Sequence, residues 1–227
     1  MEYFTSDTHF SHGNILKYCK RVKYLAPSEI QLLNAGENFK VCLNSVQFMN
    51  NDMLNCINKA VKANDVLWHL GDFCWYNRRN LDRAYYEIHS FRQAINCKTV
   101  NLILGNHDCN RLEEPEILEI YESVFDLVLD KAIVKINGQH IVMDHYANAV
   151  WPKSHRAAWN LYGHSHSNAE KNLDRLFPGR RSIDVGVDNA YLLFGEYRPF
   201  SFVELQKIFA NKKGCSIDHH EEREENV

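Results

Sequence analysis

Nowhere does the chain approach the roughly 20 consecutive apolar residues that a bilayer-spanning helix needs. Its start, Met1-Glu2-Tyr3-Phe4-Thr5-Ser6-Asp7, lacks a basic stretch followed by an apolar one. Neither membrane insertion nor a cleaved secretory signal is expected. No two cysteines stand at CxxC spacing. The seven, at 19, 42, 56, 74, 97, 109 and 215, are odd in number and scattered, which argues against a disulfide framework and for reduced thiols in a cytoplasmic setting. A dominant charge is also missing. With 26 Lys and Arg against 29 Asp and Glu, the formal charge is −3, which excludes a globally basic surface and argues against a stable nucleic-acid complex or tight attachment to a membrane face. Five prolines and ten glycines in 227 residues leave no linker-like stretch, and repeats and low-complexity blocks are absent. One domain over residues 1–210 is expected. Residues 211–227 read as a charged, disordered tail, with almost nothing to bury from Asp218 onward. No feature specifies an oligomeric state.

What is present is a core and a pattern. Hydrophobic residues make up 45%, with twelve Phe, eleven Tyr and four Trp. Tyr3-Phe4-Thr5 is β-prone and runs into Asp7. Val46, Met49, Met53, Ile57, Ala60 and Val61 fall at the three-and-four spacing of an amphipathic helix. Asp65 to Leu70 looks like a buried strand ending at Gly71-Asp72. Leu81, Ala84, Tyr85, Ile88 and Phe91 line a helix face, and Thr99 to Leu104 is a strand ending at Gly105-Asn106-His107-Asp108. Asn137-Gly138 between Ala132–Ile136 and Gln139–Met143 predicts a hairpin. Asn160-Leu161-Tyr162 leads into Gly163-His164-Ser165-His166; Ser182 to Val187 reads as a late strand, and Phe202, Leu205, Ile208 and Phe209 mark a last helix within Ser201–Ala210. The alternation indicates an α/β class. Its polar residues fall just past the C-terminal ends of apolar strands, where such sheets gather their ligand sites.

Twelve histidines direct attention to five segments: Asp7-Thr8-His9, Gly71-Asp72, Gly105-Asn106-His107-Asp108, Asp144-His145 and Gly163-His164-Ser165-His166. Imidazole with carboxylate or carboxamide oxygen, and no thiolate, suits Mn, Fe, Ni or Zn. Glycine precedes three of the five and allows a sharp backbone turn. Taken singly, each has a bland reading as a turn, a cap or a buried hydrogen bond. All five in this order, each at a strand end, point to one divalent-metal site.

The ordered set D-x-H, G-D, G-N-H-D, His and G-H-x-H resembles the calcineurin-like metallophosphoesterase superfamily. The stretches Ser6 to Ile15, Asp184 to Asp188 and Tyr197 to Ser201 resemble its small stand-alone bacterial and phage members. The resemblance spans roughly residues 3 to 209. It implies a four-layer α/β/β/α sandwich of two stacked mixed sheets and two divalent ions per chain, with Mn favoured. Asp7, His9 and His166 would hold one ion and Asn106, His145 and His164 the other, with Asp72 bridging. It further implies attack on phosphorus by a hydroxide bridging the two metals, held about 3.5–4 Å apart. His107 would face the substrate to stabilise charge or protonate the leaving oxygen, and Asp108 would orient its ring. Two dications, two carboxylates and one hydroxide leave one net positive charge, which complements a phosphodiester monoanion. A small phosphodiester is therefore the expected substrate, a nucleotide among the candidates, with phosphomonoesterase and nuclease as alternatives. The rival from another class is a non-catalytic, metal-bound binding module that retains the fold.

A second tier is weaker. His12 either touches substrate or caps the following helix, and Asn14 reads as that helix's cap. His155-Arg156 and Arg180-Arg181 are the candidate phosphate contacts, Arg156, Arg180 and Arg181 being suited to fork onto phosphate oxygens. Trp151 and Trp159 could stack on a base, with core packing the better expectation. Cys74, His69, His89 and His140 read as structural, and His219-His220 as part of the solvated tail.

Overall fold

The computed structural model describes residues 1–214. Its first half runs β1 (Glu2–Thr5), α1 (Ile15–Tyr18), α2 (Pro27–Asn34), α3 (Leu43–Ala60), β2 (Val66–His69), α4 (Leu81–Ala94), β3 (Thr99–Ile103), α5 (Pro115–Val124) and β4 (Leu127–Leu129). Then follow β5 (Lys131–Ile136), β6 (Gln139–Asp144), β7 (Trp159–Tyr162), α6 (Glu170–Leu176) and β8 (Ser182–Asp184). The chain closes with α7 (Val187–Phe194), β9 (Phe200–Ser201) and α8 (Phe202–Phe209). Two mixed sheets result. The first has the order β4-β3-β2-β1-β9, parallel except for β9, and the second the order β5-β6-β7-β8, with only the β5–β6 pair antiparallel.

Successive strand residues point to opposite faces, and here both faces of the first sheet are buried. Leu67, Val100 and Leu102 pack on Met49, Met53 and Ile57 of α3, Ile88 of α4 and Tyr121 of α5. Phe4, Trp68, Leu70 and Ile103 meet Ile141, Met143, Leu161 and Ile183 of the second sheet. This double burial is why apolar residues stand on both faces of β2 and β3 instead of alternating with polar ones, His69 and Asn101 being buried polar exceptions. The sheets stack face to face in the α/β arrangement that the resemblance implied.

Local expectations fared unevenly. In α3, Val46, Met49, Met53 and Ile57 are the buried stripe. In α4 only Ala84 and Ile88 are buried, while Leu81 and Tyr85 face solvent. The β5–β6 hairpin turns at Asn137 and Gly138, both with positive φ (49° and 86°), the geometry a two-residue primed turn needs. The late strand is shorter than expected. It ends at Asp184, whose carboxylate accepts the Gly186 N–H at 2.7 Å and turns the chain, so that Val187 opens α7 instead of extending β8. Asn14 occupies the N-cap position of α1 without a side-chain capping bond, its backbone already helical. Of the expected tail, Lys212 and Gly214 are tied back: the Arg181 Nε–H donates to the Lys212 carbonyl, and the Gly214 N–H to that of Gly179. Residues 215–227, with His219-His220, lie outside the described residues. Among the described residues no helix is long and apolar enough to cross a membrane.

Candidate metal centre

The five polar segments follow the C-terminal ends of β1, β2, β3, β6 and β7, three from the first sheet and two from the second. Parallel pairing continues into the first two loops, where the Asp7 N–H donates to the Gly71 carbonyl and the His9 N–H to that of Asp72. The loops are thereby held in register and their side chains converge.

Three clusters of candidate donors form among the described residues, one of which, Cys19, His166 and Asp188, contains only His166 of the expected ligands; the other two are the donor groups of interest. In one, ligand atoms of Asp7, His9 and His166 lie within 4.8 Å of one another; in the other, those of Asp72, His145 and His164 do so. Asp72 belongs to both neighbourhoods, its Oδ2 lying 3.4 Å from His9 Nε2 and 3.5 Å from His145 Nε2. Asn106 Oδ1 is 3.1 Å from His145 Nε2. All seven expected ligands are thus brought together.

The donor set fits a cation on two observations. His9 Nε2 is buried with no hydrogen-bond partner, an arrangement that is costly unless something else takes its lone pair. At His145, Nδ1 lies 2.7 Å from the Leu70 carbonyl and so carries the proton, which leaves Nε2 as a lone pair facing the oxygens of Asp72 and Asn106. Acceptors pointed at acceptors need a proton or a metal between them. Without a metal, protons do this. Burial disfavours a His145 cation, but the Asp72 hydrogen bond and the Asp7 and Asp72 charges overcome it and raise the pKa to about 9. Burial works against His166 too, yet its bond to Asp188 and the nearby acids raise it to about 11. Burial pushes Asp7 up to about 7. Burial also opposes ionisation of Asp72, but His145 and His9 outweigh it and hold that carboxyl below its ordinary range.

The backbone is strained here. Five of the seven ligands have left-handed φ: Asp7 57°, His9 49°, Asp72 56°, His164 64° and His166 46°. Such values are uncommon outside glycine and cluster at functional sites. The preceding glycines serve two different needs. Gly71 has a φ of +96° and is the sharp turn expected. Gly163 instead leaves room, since a Cβ there would come 2.6 Å from Asp7 Oδ2 and closer still to Ser6 Oγ.

A supporting layer that sequence reasoning missed orients the ligands. Arg21, fully buried, donates to both oxygens of Asp188 and to the carbonyls of Asp7 and Thr8. Asp188 Oδ2 in turn takes His166 Nδ1 at 2.6 Å, directing Nε2 toward Asp7. Asp188 stood in a motif-like stretch, but no local signal marked Arg21, which sits among surface-looking lysines. Thr8 Oγ1 donates to the Phe73 carbonyl and accepts from His69 Nε2. Burial pushes His69 down to about 3, so it is a neutral structural histidine.

Several expected contacts are corrected. Asp108 does not orient the His107 ring. Its fully buried carboxylate accepts the backbone N–H groups of Asp72, Phe73 and Gly105 and the Tyr121 hydroxyl, clasping the β2 and β3 loops together. Arg180 is no phosphate contact: it is 3% exposed and held by Glu170, Asp174 and the Tyr162 hydroxyl. Arg181 is spent on the Lys212 carbonyl, and neither it nor Arg156, on a turn at Ser154–Arg156, lines the cavity at the donor groups. Trp159 packs between Phe202 and Phe209, and the Trp151 indole donates to the Ala158 carbonyl; both are core. His107 and His12 do line that cavity, of about 1240 Å³. The His107 ring stands edge-on to His9 at 5.4 Å, and His12 stacks beneath Trp75.

The chain is similar to several known proteins. An uncharacterised protein of Methanocaldococcus jannaschii, MJ1445, is 24% identical over 212 residues, covering 93% of this chain and 92% of its own. The crystal structure of a protein of unknown function from Aquifex aeolicus, AQ665, shares the fold, with a TM-score of 0.59 at 24% identity over 92% of this chain and 98% of that one. A solved archaeal phosphodiesterase aligns over 86% of this chain and 87% of its own at 16% identity and a TM-score of 0.36. The family description "calcineurin-like phosphoesterase" matches residues 3–196. The chain carrying this centre therefore belongs to the calcineurin-like phosphoesterase family.

Proposed function

We propose that this protein is a dinuclear metal-dependent phosphodiesterase. The observation that carries the reading is the place of the Asp72 carboxylate, with one oxygen 3.4 Å and 3.5 Å from a histidine of each donor group. Asp7, His9 and His166 would hold one ion, Asn106, His145 and His164 the other, and Asp72 both. All donors are nitrogen or oxygen, and Mn²⁺ is the proposed ion among Mn, Fe, Ni and Zn. When bound, such a pair supplies Lewis acidity and a water of lowered pKa.

The chain's own residues do the rest. Asp188 and Arg21 fix the His166 ring. The Asp108 clasp sets Asp72 against the β3 loop, where the His107 N–H donates to Asp72 Oδ1 at 2.8 Å. That bond stations the His107 side chain on the cavity wall, within reach of a phosphoryl group, to stabilise its charge or protonate the leaving oxygen. With only Asp7 and Asp72 as carboxylate ligands, charge balance favours a monoanionic diester over a dianionic monoester. The proposed substrate is a small phosphoester, and the proposed setting is the cytoplasm.

Hydrolysis of bis(p-nitrophenyl) phosphate with Mn²⁺, against p-nitrophenyl phosphate and with His107→Ala as control, tests this. Diester turnover that is lost in the variant supports it. An inert wild type across Mn, Fe, Ni and Zn would instead favour a metal-bound binding module.

A further inference from the structure

Beyond the donor atoms, the cavity wall carries an aromatic stack that phosphoryl chemistry does not require. The Trp75 indole lies nearly parallel to the His12 imidazole, with centroids 4.3 Å apart and 12° between planes. His12 in turn rests 5.3 Å from the ring of the ligand His9, and Trp75 is 5.8 Å from the ring of His107. Trp75 is 47% exposed. Exposure alone decides nothing, because Tyr18 and Leu112 are more exposed. Position does. Trp75 and His107 border both the cavity at the donor groups and an adjoining one of about 690 Å³. The adjoining cavity is lined by Arg78, Arg79 and Arg83, with Glu87 as its one carboxylate among the described residues. Arg78 is tied to Glu114 and Arg83 lies 3.8 Å from Glu87. The Arg79 side chain has no partner among the described residues. A flat indole face, backed by a ring, beside arginines and next to a phosphoryl site suits a ligand that is planar at one end and anionic at the other. The volume agrees, since about 1240 Å³ exceeds what a bare phosphodiester would fill.

We propose that Trp75, backed by His12, is a stacking platform for the base of a nucleotide substrate. This rests on the phosphoesterase reading above and adds the substrate class. The base lies on the outer indole face while its phosphate sits at the donor groups, and the arginine-lined groove gives an anionic ligand a favourable potential.

Calorimetric binding of AMP and of ribose 5-phosphate to the Mn²⁺-loaded protein isolates the base, because the two ligands share sugar and phosphate. AMP should bind about ten-fold tighter or more, the range one base–aromatic stack supplies. Trp75→Ala should erase that preference and Trp75→Phe should keep most of it. A wild type that binds both ligands equally overturns the platform, as does a Trp75→Ala protein that still prefers AMP. Because Trp75→Ala could disturb folding, thermal melts accompany it, and the Phe variant reads the same preference with an aromatic ring in place. The two readings fail separately. Turnover of bis(p-nitrophenyl) phosphate without AMP preference sinks only the platform, whereas a Trp75-dependent AMP preference without diester turnover sinks only the phosphodiesterase.

Discussion

Arg21 and Asp188 meet as parallel forks, Nε to Oδ1 at 2.9 Å and Nη2 to Oδ2 at 2.8 Å, with the guanidinium wholly out of solvent. Removing one partner of such a pair leaves an uncompensated buried charge, which costs about 3–5 kcal/mol. Arg21→Leu should lose that much in urea unfolding. Arg21→Lys should recover little, because a lone ammonium cannot occupy both oxygens and both carbonyls. A leucine variant within about 1 kcal/mol of wild type would show the fork to be incidental.

Asp72→Ala should empty both metal positions, because the lost carboxylate faces both donor groups. Metal analysis of the purified variant checks this. Two ions retained per chain would contradict the bridging assignment.

Asp108 offers a sharper contrast. If it acted on His107, its removal would lower turnover and leave the fold alone. Instead it satisfies three buried N–H groups, and each one orphaned costs about 1–3 kcal/mol. Asp108→Ala should therefore unfold at markedly lower urea, by at least about 2 kcal/mol. Wild-type stability with only kcat reduced would restore the ring-orienting role.

Above about pH 6.5 the metal-free protein should lose stability as pH rises. The folded pKa of His145 is raised from 6.5 to about 9. Its contribution is thus fully present below about 6.5 and fades as pH climbs through about 9. Asp7, raised to about 7, has the same sign. A metal must displace these protons, so affinity should rise with pH, and ion uptake at pH 7 should release protons measurable by titration calorimetry in buffers of different ionisation enthalpy. Activity should collapse below about pH 6. Proton-neutral metal uptake would place the ions elsewhere.

The seven expected metal donors were legible as one cluster because each is one of few residue types suited to such a task and each lies in the loop that follows a strand. Local order in the chain maps onto a place in the fold. Arg21 was not legible, because its partner is 167 residues away and nothing beside it hints at burial. Arg180 misled for the converse reason: a basic pair looks solvent-facing until Glu170 and Asp174 appear from α6. Closeness in sequence to His145 and His164 singles out Trp151 and Trp159, yet both turn into the core, while Trp75, three residues past Asp72, stands on the cavity wall. Which face a ring presents depends on tertiary packing that spacing does not carry. For the same reason Leu81 and Tyr85 match the period of α4 but face solvent.

Each donor group draws on both halves of the sandwich. Asp7 and His9 leave β1 and His166 follows β7; Asp72 leaves β2 and His145 and His164 follow β6 and β7. Nonpolar side chains fill the seam between the halves, and they oppose prying apart better than slippage, because their attraction has little direction. Ligand bonds do have direction. A pair of cations at this edge would pin the layers against sliding, so the side chains that serve the chemistry would also act as the bolt of the architecture.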